Sequence, residues 1–343
     1  MNRRQGKEVL SFIINRVTEN PREISKITAE RFGISRQAVN RYLKKLIQQG
    51  LLEDAGKTRN KAYQLKPLAQ ESNALPITPD MEEDRIWRQQ IKHLVSTLPE
   101  NIVDICHYGF TEMFNNVLDH SSGSEVTVNF NLTAVFLEMW IMDDGVGIFK
   151  KIKDELGLED HRHAILELAK GKLTTDPEHH TGEGIFFTTR MFDEFLMSSG
   201  HLFFQRTDPG DDWLIETQGS EVEGTVVKMR ISTRSDRTLK RTFDKYASVK
   251  DDYRFTKTRV PVSLLKHGEE KLVSRSQAKR LLARFDKFSE VFLDFKDVNT
   301  IGQAFADEIF RVFRKQNPQI KIVPARANSK IKKMIEKVIQ ESK

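Results

Sequence analysis

Apolar residues recur at helical spacing in three short segments at the start of the chain. The segments are residues 6–17, 22–33 and 35–50. Gly33 ends the second segment at the position where a left-handed residue closes a helix. Ser35 precedes the third, where its hydroxyl can cap the helix. Residues 51–65 have apolar ends around a polar, basic tip, so the pattern predicts three helices followed by a β-hairpin.

The third predicted helix is basic and carries polar residues in its first turns. A helix in the major groove presents such side chains to base edges, while neighbouring basic groups bind phosphates. Over about residues 1–66 the chain therefore resembles winged helix-turn-helix regulators, which implies double-stranded DNA as a partner. A winged helix that makes only protein contacts is the alternative. The predicted DNA-binding residues are Ser35, Arg36, Gln37, Asn40, Arg41, Lys57, Arg59 and Lys61.

The composition changes after this first unit. Residues 67–84 contain three prolines, few aliphatic residues and an acidic end, which predicts a linker. Residues 84–98 then have a helical pattern that Pro99 ends. Two segments of alternating apolar and polar residues, 124–132 and 135–143, predict a second β-hairpin.

Residues 111–120 form an amphipathic pattern between these elements. The apolar face of the predicted helix consists of Phe110, Met113, Phe114 and Val117. The opposite edge consists of Glu112, Asn115, Asn116 and Asp119. Such an edge is commonly a solvated surface, so this helix alone does not indicate a function.

Three separate motifs together resemble the ATP-binding domain of the GHKL superfamily. They are Glu112 and Asn116 spaced E-x-x-x-N on a helix, the DDGVG run of residues 143–147 after a strand, and the TGEG run of residues 181–184 before a helix. The superfamily includes gyrase, mismatch-repair ATPases, histidine kinases and anti-sigma-factor kinases. The resemblance covers about residues 85–232 and implies a central α/β sandwich that binds ATP and Mg²⁺.

The resemblance also implies a role for each polar residue. Asn116 would ligate Mg²⁺ through its carboxamide oxygen, as hard oxygen ligands suit this ion. Glu112 would be the catalytic residue that holds or deprotonates the attacking water in members that hydrolyse ATP. Asp143 would accept the adenine amino group. Thr225, in the Gly224-Thr225 pair that leads a later strand, would lie near the adenine.

The glycines of the motifs have implied roles as well. Gly145 and Gly147 would allow the backbone to approach the nucleotide closely. Thr181, Gly182 and Gly184 would introduce a helix whose first amides bind phosphate oxygens.

The chain departs from the family pattern at the third motif. The leading glycine common in kinases is missing, and Glu183 places a negative charge where phosphates approach, so ATP binding is better supported than hydrolysis. Lys172, between the second and third motifs, is one cation that could reach the phosphates. Neither His93 nor His107 is followed by the acidic residue and arginine of a phospho-acceptor helix.

A basic connector, residues 233–250, precedes a third unit over residues 251–343. Strand and helix patterns alternate there, which predicts a small, largely parallel or mixed sheet. Residues 291–310 resemble STAS domains, the fold of anti-anti-sigma factors. The STAS phosphorylation site is a Ser after an Asp; here Thr300 is the nearest hydroxyl, and we expect it to cap a helix instead.

Charge divides the chain into the same three parts. Counting Lys and Arg against Asp and Glu, the net charge is +9 for residues 1–66, −15 for residues 67–238 and +12 for residues 239–343. The basic ends indicate contact with a polyanion, or with the acidic middle of this chain or a neighbouring one. The STAS-like unit is thus a candidate for protein contact or self-association.

Composition narrows the protein class further. The single Cys106 excludes a disulfide framework within the chain. No run of 18 apolar residues occurs, and the first residues lack the apolar core of a signal peptide. Four histidines, His161, His163, His179 and His180, lack the ligand spacing of a zinc site. We expect a cytoplasmic protein without membrane contact.

The predicted fold is therefore multidomain: an α+β winged helix, an α/β sandwich of GHKL type and a small α/β STAS-like unit. The favoured function is a transcriptional regulator that senses or hydrolyses Mg-ATP and couples it to DNA binding. An ATPase or anti-sigma-type protein Ser/Thr kinase is the alternative from another class. An ATP-switched assembly protein is the third.

Overall fold

The computed structural model describes residues 3–56, 60–173, 182–207, 212–216, 219, 221–247, 254–266 and 270–340. Three units follow one another along the chain, in the predicted order. Each has its own sheet: two strands in the first, seven in the second and three in the third.

The first unit consists of three helices and an antiparallel hairpin, as predicted. Its core is formed by apolar residues of all three helices and Leu52 of the hairpin. Gly33 has φ 62° and closes the second helix, and the Ser35 hydroxyl accepts a hydrogen bond from the Ala38 amide at the start of the third. The elements are α1 (Arg3–Arg16), α2 (Ile24–Phe32), α3 (Arg36–Gln48), β1 (Leu52–Ala55) and β2 (Ala62–Leu65).

The second unit is built on a seven-stranded sheet in which every neighbouring pair is antiparallel. The strand order is β3-β4-β5-β9-β6-β7-β8. The predicted hairpin corresponds to β4 and β5. The strands are β3 (Ala69–Pro76), β4 (Glu125–Leu132), β5 (Phe136–Asp143), β6 (Glu194–Gly200), β7 (Leu202–Thr207), β8 (Asp212–Glu216) and β9 (Val222–Ser232).

The structure differs from the prediction at residues 67–84, where the composition indicated a linker. Residues 69–76 form β3, the edge strand that pairs with β4 along its whole length. An edge strand is held mainly by backbone hydrogen bonds on one side, so it needs few aliphatic side chains. Pro67 and Pro79 flank the strand rather than mark a free segment.

Helices cover the sheet of the second unit. Helix α5 packs closely against Phe192, which lies just before β6, and a Cβ on Gly109 would overlap the Phe192 ring. Helix α9 lies within the predicted connector 233–250, and its Phe243 and Tyr246 pack against aromatic rings of α8. These helices are α4 (Glu83–Ile86), continued by a π-helical turn (Trp87–Ile91), α5 (Glu100–His120), α6 (Ile148–Leu156), α7 (His161–Lys170), α8 (Gly184–Met191) and α9 (Leu239–Tyr246).

The third unit has a parallel sheet of three strands in the order β10-β11-β12, with helices as crossover connections. Thr300 does not cap a helix: Gly302 occupies the cap position of α11, and Thr300 is exposed. The elements are β10 (Lys257–Pro261), α10 (Arg275–Leu282), β11 (Glu290–Asp294), α11 (Gln303–Asp307), a π-helical turn (Glu308–Phe313), α12 (Arg314–Gln316), β12 (Lys321–Ala325) and α13 (Ser329–Gln340).

The units are in contact with one another. Ala134 and Val135, at the β4–β5 turn, pack against the core of the first unit. The second and third units share one continuous cluster of buried apolar residues. In the described part of the chain, no helix has the length and apolar character needed to cross a membrane.

Candidate functional site

A pocket of about 330 Å³ opens between α5, the central sheet and the helices α6 to α8. This volume lies at the lower end of the range for small-molecule sites. Polar residues from widely separated parts of the sequence meet there. The sequence-predicted residues that line it are Glu112, Asn116, Asp143, Gly182, Gly184 and Thr225.

The polar edge of α5 forms one wall of the pocket. Asn115 and Asp119 line it together with Glu112 and Asn116, so the whole edge predicted from helical spacing faces the cavity. The opposite face of α5 is buried in the core. A long amphipathic helix thus holds two carboxylates and two carboxamides on one surface of the cavity.

Asp143 and Thr225 form the second polar corner. They are direct partners across the antiparallel pair of β5 and β9. The Asp143 carboxylate accepts a hydrogen bond from the Gly145 amide at 2.9 Å, and the Thr225 hydroxyl accepts one from the Ile148 amide at 3.0 Å. Burial raises the pKa of Asp143, and hydrogen bonds from Gly145 and Thr225 act against that rise.

The glycines of the motifs are required by contacts within the protein. A Cβ on Gly145 would overlap the Ser121 carbonyl, and one on Gly184 would overlap the Glu112 carboxylate. Gly147 and Gly182 have φ of 82° and 68°, which favours glycine. Gly145 and Gly147 therefore allow chain segments to pack closely, whereas the prediction for them concerned approach to a ligand. Neither of the two lines the pocket among the described residues.

Asp144, the second acidic residue of the DDGVG motif, has a structural role. Its carboxylate accepts hydrogen bonds from the Ser124 amide, the Ser124 hydroxyl and the Glu125 amide. These donors lower the pKa of Asp144 to about 2. Asp144 thus ties the start of β4 to the end of β5, outside the pocket.

The charges of Glu112 and Glu183 act on the buried Tyr108 hydroxyl near the start of α8. The Tyr108 hydroxyl is hydrogen bonded to Glu112, and its pKa is raised by burial and by the charges of Glu112 and Glu183. Burial also raises the pKa of Glu183, and Lys172 acts in the opposite direction.

Lys151 is a pocket residue that the sequence reasoning missed. It lies on α6 and donates to the His120 carbonyl at the end of α5, at 3.0 Å. Both Lys151 and His120 line the cavity. Lys151 comes one helical turn after Gly147, the last residue of the DDGVG motif. This spacing could have identified Lys151 from the sequence.

The cation considered from the sequence, Lys172, points away from the pocket. Its ammonium group lies over the rings of Phe255 and Phe288 and donates to the Lys287 carbonyl at 3.0 Å. Thr181 lies outside the described residues, as do His179 and His180. His161 and His163 are on α7, and no group of three potential metal-binding side chains occurs within the described ranges.

The predicted DNA-binding residues of α3 share an exposed surface. Arg36, Gln37, Asn40 and Arg41 are all exposed, and Ser35 at the helix start is exposed while capping it. Lys61 is half-buried and forms an ion pair with Asp54 at 2.5 Å across the hairpin. Lys57 and Arg59 belong to the tip of the hairpin, which the structure does not describe.

Comparison with known proteins identifies the two ends of the chain. Residues 13–53 match the family model of the winged helix-turn-helix DNA-binding domain. Residues 277–332 match that of a STAS-like domain of unknown function. No curated protein matches the chain. The chain therefore carries a winged helix-turn-helix, which indicates a DNA-binding regulator, and a STAS-like domain; neither match covers residues 54–276.

Proposed function

We propose that this protein is a DNA-binding regulator whose central domain binds Mg-ATP. The observation that carries the proposal is the meeting of Glu112, Asn116, Asp143 and Thr225 in one pocket. These residues are separated by up to 113 positions in the sequence, yet they line one cavity, which supports the resemblance to GHKL domains. The buried carboxylate of Asp143 suits an adenine amino group, which has hydrogens to donate.

The donor set also fits a magnesium ion. The wall formed by α5 offers the oxygens of Asn116, Glu112 and Asp119, which are hard ligands. Magnesium usually takes only one or two protein ligands and completes its shell with phosphate oxygens and water. Asn116 would hold the ion, which would neutralise phosphate charge there, and Lys151 of α6 would add a positive charge to the pocket.

The contact between the first two units supports coupling of nucleotide state to DNA binding. Strand β2 of the hairpin leads directly into β3, and the Leu68 amide donates to the Leu132 carbonyl of β4. The turn between β4 and β5 touches the winged-helix core through Ala134 and Val135. Strand β5 ends at Asp143, so one strand runs from the winged helix to the proposed adenine corner. Coupling of nucleotide binding to DNA binding through β5 requires that the contacts between the two units differ between nucleotide states.

Calorimetric titration of Mg-ATP and of adenosine tests the nucleotide site. We expect Asn116→Ala to weaken Mg-ATP binding by about tenfold or more, since hydrogen bonds and ligation to charged groups contribute this much. Its affinity for adenosine should stay unchanged. Asp143→Ala should weaken both ligands, because the adenine contact is common to them.

Asp104→Ala is the matched control, because Asp104 is exposed on the same helix and does not line the pocket. It should bind both ligands as the wild type does. Undiminished Mg-ATP binding by both pocket variants would refute the proposed site.

Anisotropy titration of a labelled duplex of random sequence tests the DNA interface. Arg36→Ala and Arg41→Ala should each weaken binding several-fold and reduce the slope of log affinity against log salt by about 1 per lost phosphate contact. Arg16→Ala is the control, because Arg16 is exposed, pairs with Glu19 and lies outside α3. This variant should leave the salt slope unchanged. Binding that does not depend on salt would argue for a protein-docking role of the winged helix.

A further inference from the structure

Helix α7 and the three residues after it have two functional faces. We call residues 161–173 the α7 arm. Leu168 and Leu173 of this arm line the pocket. The side chains of Glu167, Lys170 and Lys172 point instead into the STAS-like unit. The α7 arm therefore lies between the proposed nucleotide site and the third unit of the chain.

Lys170 is the deepest contact between the arm and the STAS-like unit. Its side chain is 0% exposed, and its ammonium group lies over the Phe285 ring. The ammonium donates to Glu167 at 2.6 Å and to the carbonyls of Arg280 and Ala283 at 3.1 and 2.9 Å. Two of its three acceptors thus belong to the end of α10. Such a cation is stable only while the STAS-like unit is docked, because undocking removes these acceptors.

The backbone of the arm is held by the same unit. Thr258 of β10 donates its hydroxyl proton to the Lys170 carbonyl at 2.6 Å. Arg284 donates to the carbonyls of Gly171 and Lys172, and its other terminal nitrogen donates to the Glu167 carboxylate at 2.7 Å. Three consecutive carbonyls of the arm therefore accept hydrogen bonds from STAS-like side chains.

The arm has little freedom to move while these contacts exist. Gly171 has φ 83°, and a Cβ there would lie 2.8 Å from Phe186 of α8 and 2.9 Å from Phe255. Phe186 lines the pocket and packs against Phe255 with tilted rings, whose centroids are 4.5 Å apart. Aromatic packing thus connects the pocket wall directly to the residues that precede β10.

We propose that the STAS-like unit acts as a clamp on the α7 arm, so that its docking and nucleotide binding are energetically coupled. This inference rests on the proposed binding of Mg-ATP and identifies how that site is regulated. Docking fixes Leu168 and Leu173 in the pocket wall, and a nucleotide that contacts this wall stabilises the docked state in return. A partner that competes for the end of α10 would release the arm and lower nucleotide affinity.

Arg284→Ala in the full-length protein tests the clamp. It removes the donors to Glu167, Gly171 and Lys172 while the Lys170 contacts remain. We expect the affinity for Mg-ATP to fall about tenfold, a typical coupling between two sites. Amide hydrogen exchange of residues 161–173 should become faster, and in the wild type Mg-ATP should slow exchange of residues 277–287.

Arg280→Ala is the matched control. Arg280 joins the same two units through an ion pair with Glu159, but both side chains are exposed, and the substitution keeps the Arg280 backbone carbonyl that accepts from Lys170. Its affinity for Mg-ATP should stay within about twofold of the wild type. Arg284→Lys keeps the positive charge beside Glu167 but loses the second donor group, so we expect an intermediate loss of Mg-ATP affinity. This variant provides the test if Arg284→Ala does not fold.

The outcomes separate this inference from the proposed function. Absence of Mg-ATP binding by the wild type would overturn both. The clamp alone would be overturned by a different result. Wild-type binding would depend on Asn116, and both Arg284 variants would bind Mg-ATP with wild-type affinity although hydrogen exchange of the arm is faster. A loss of affinity as large in Arg280→Ala as in Arg284→Ala would also overturn it, because a general weakening of the interface would then explain the result.

Discussion

Replacing Gly145 with alanine should strongly weaken Mg-ATP binding and destabilise the central unit by about 3 kcal/mol. The new Cβ would overlap both the carbonyl carbon and oxygen of Ser121. These are backbone atoms at the end of α5, so no side-chain rotation relieves the overlap. The loop must move away from α5, which separates Asp143 from Asn116. We expect the affinity to fall about 100-fold or more, measured by calorimetry, and the Tm to fall in parallel.

Two other glycines serve as graded controls for this prediction. At Gly184 the new Cβ would meet the Glu112 side chain, which can rotate away, so Gly184→Ala should cost less stability while it displaces Glu112. Gly157 has φ 60° with nothing within 4 Å of its Cβ position, so Gly157→Ala should cost about 1 kcal/mol and leave nucleotide affinity unchanged. Equal affinity in the Gly145 and Gly157 variants would show that the DDGVG loop does not set the pocket geometry.

Local signals explain why the sequence predicted so much of this structure. Ser35 and Gly33 mark the ends of helices by their own chemistry, and the structure confirms both. Helical spacing placed the polar edge of α5 on one side, where it lines the pocket. The resemblance to GHKL domains implied that Asp143 and Thr225 lie near one adenine, but the sequence did not predict that they are direct partners across β5 and β9.

Local sequence signals could not predict the features that depend on contacts between distant segments. Strand β3 is recognised only through its pairing with β4, because its own residues have the composition of a linker. The direction of Lys172 is set by Phe255 and Phe288, which lie more than 80 positions away. Helix α9 packs through two aromatic residues in a basic segment that was predicted to be a connector.

The opposite charges of the second and third units illustrate the same limit. Net charges of −15 and +12 indicated that the units could attract each other or a polyanion. The structure shows which residues meet: Arg280 pairs with Glu159 at the surface, and Arg284 pairs with Glu167 in the interior. A part of the basic charge of the STAS-like unit is thus used within the chain. The sum of charges could not identify Glu167 as the acidic residue that lies between Lys170 and Arg284.

That residue, Glu167, should be the most sensitive charged position of the interface. Its carboxylate pairs with Lys170 through one oxygen and with Arg284 through the other, and its side chain is 6% exposed. Glu167→Gln keeps the shape but leaves the buried Lys170 and the partly buried Arg284 without this counter-charge. Removing one partner of a buried ion pair costs about 3–5 kcal/mol. We expect a fall in Tm of about 10 °C by scanning calorimetry, since 1 kcal/mol corresponds to a few degrees in a protein of this size.

Glu159→Gln is the control, because it neutralises the exposed pair of the same interface and should change the Tm by no more than about 1–2 °C. The double variant Glu167→Gln/Lys170→Met should be more stable than Glu167→Gln alone, because it removes the cation that is left unpaired. Equal Tm values for the Glu167 and Glu159 variants would show that the buried contacts contribute no more than the surface pair.

The pH dependence of Glu167→Gln distinguishes loss of charge compensation from loss of packing. Burial lowers the pKa of Lys170 below its value in the unfolded chain, with Glu167 acting against that fall. Without Glu167 the pKa should fall further, and the unfolded state then binds more protons than the folded state over a wider range. The stability of the variant relative to the wild type should therefore rise between pH 7 and pH 10, as Lys170 becomes neutral in the folded protein. A deficit in Tm that is constant over this range would mean that the uncompensated ammonium group of Lys170 is not its cause.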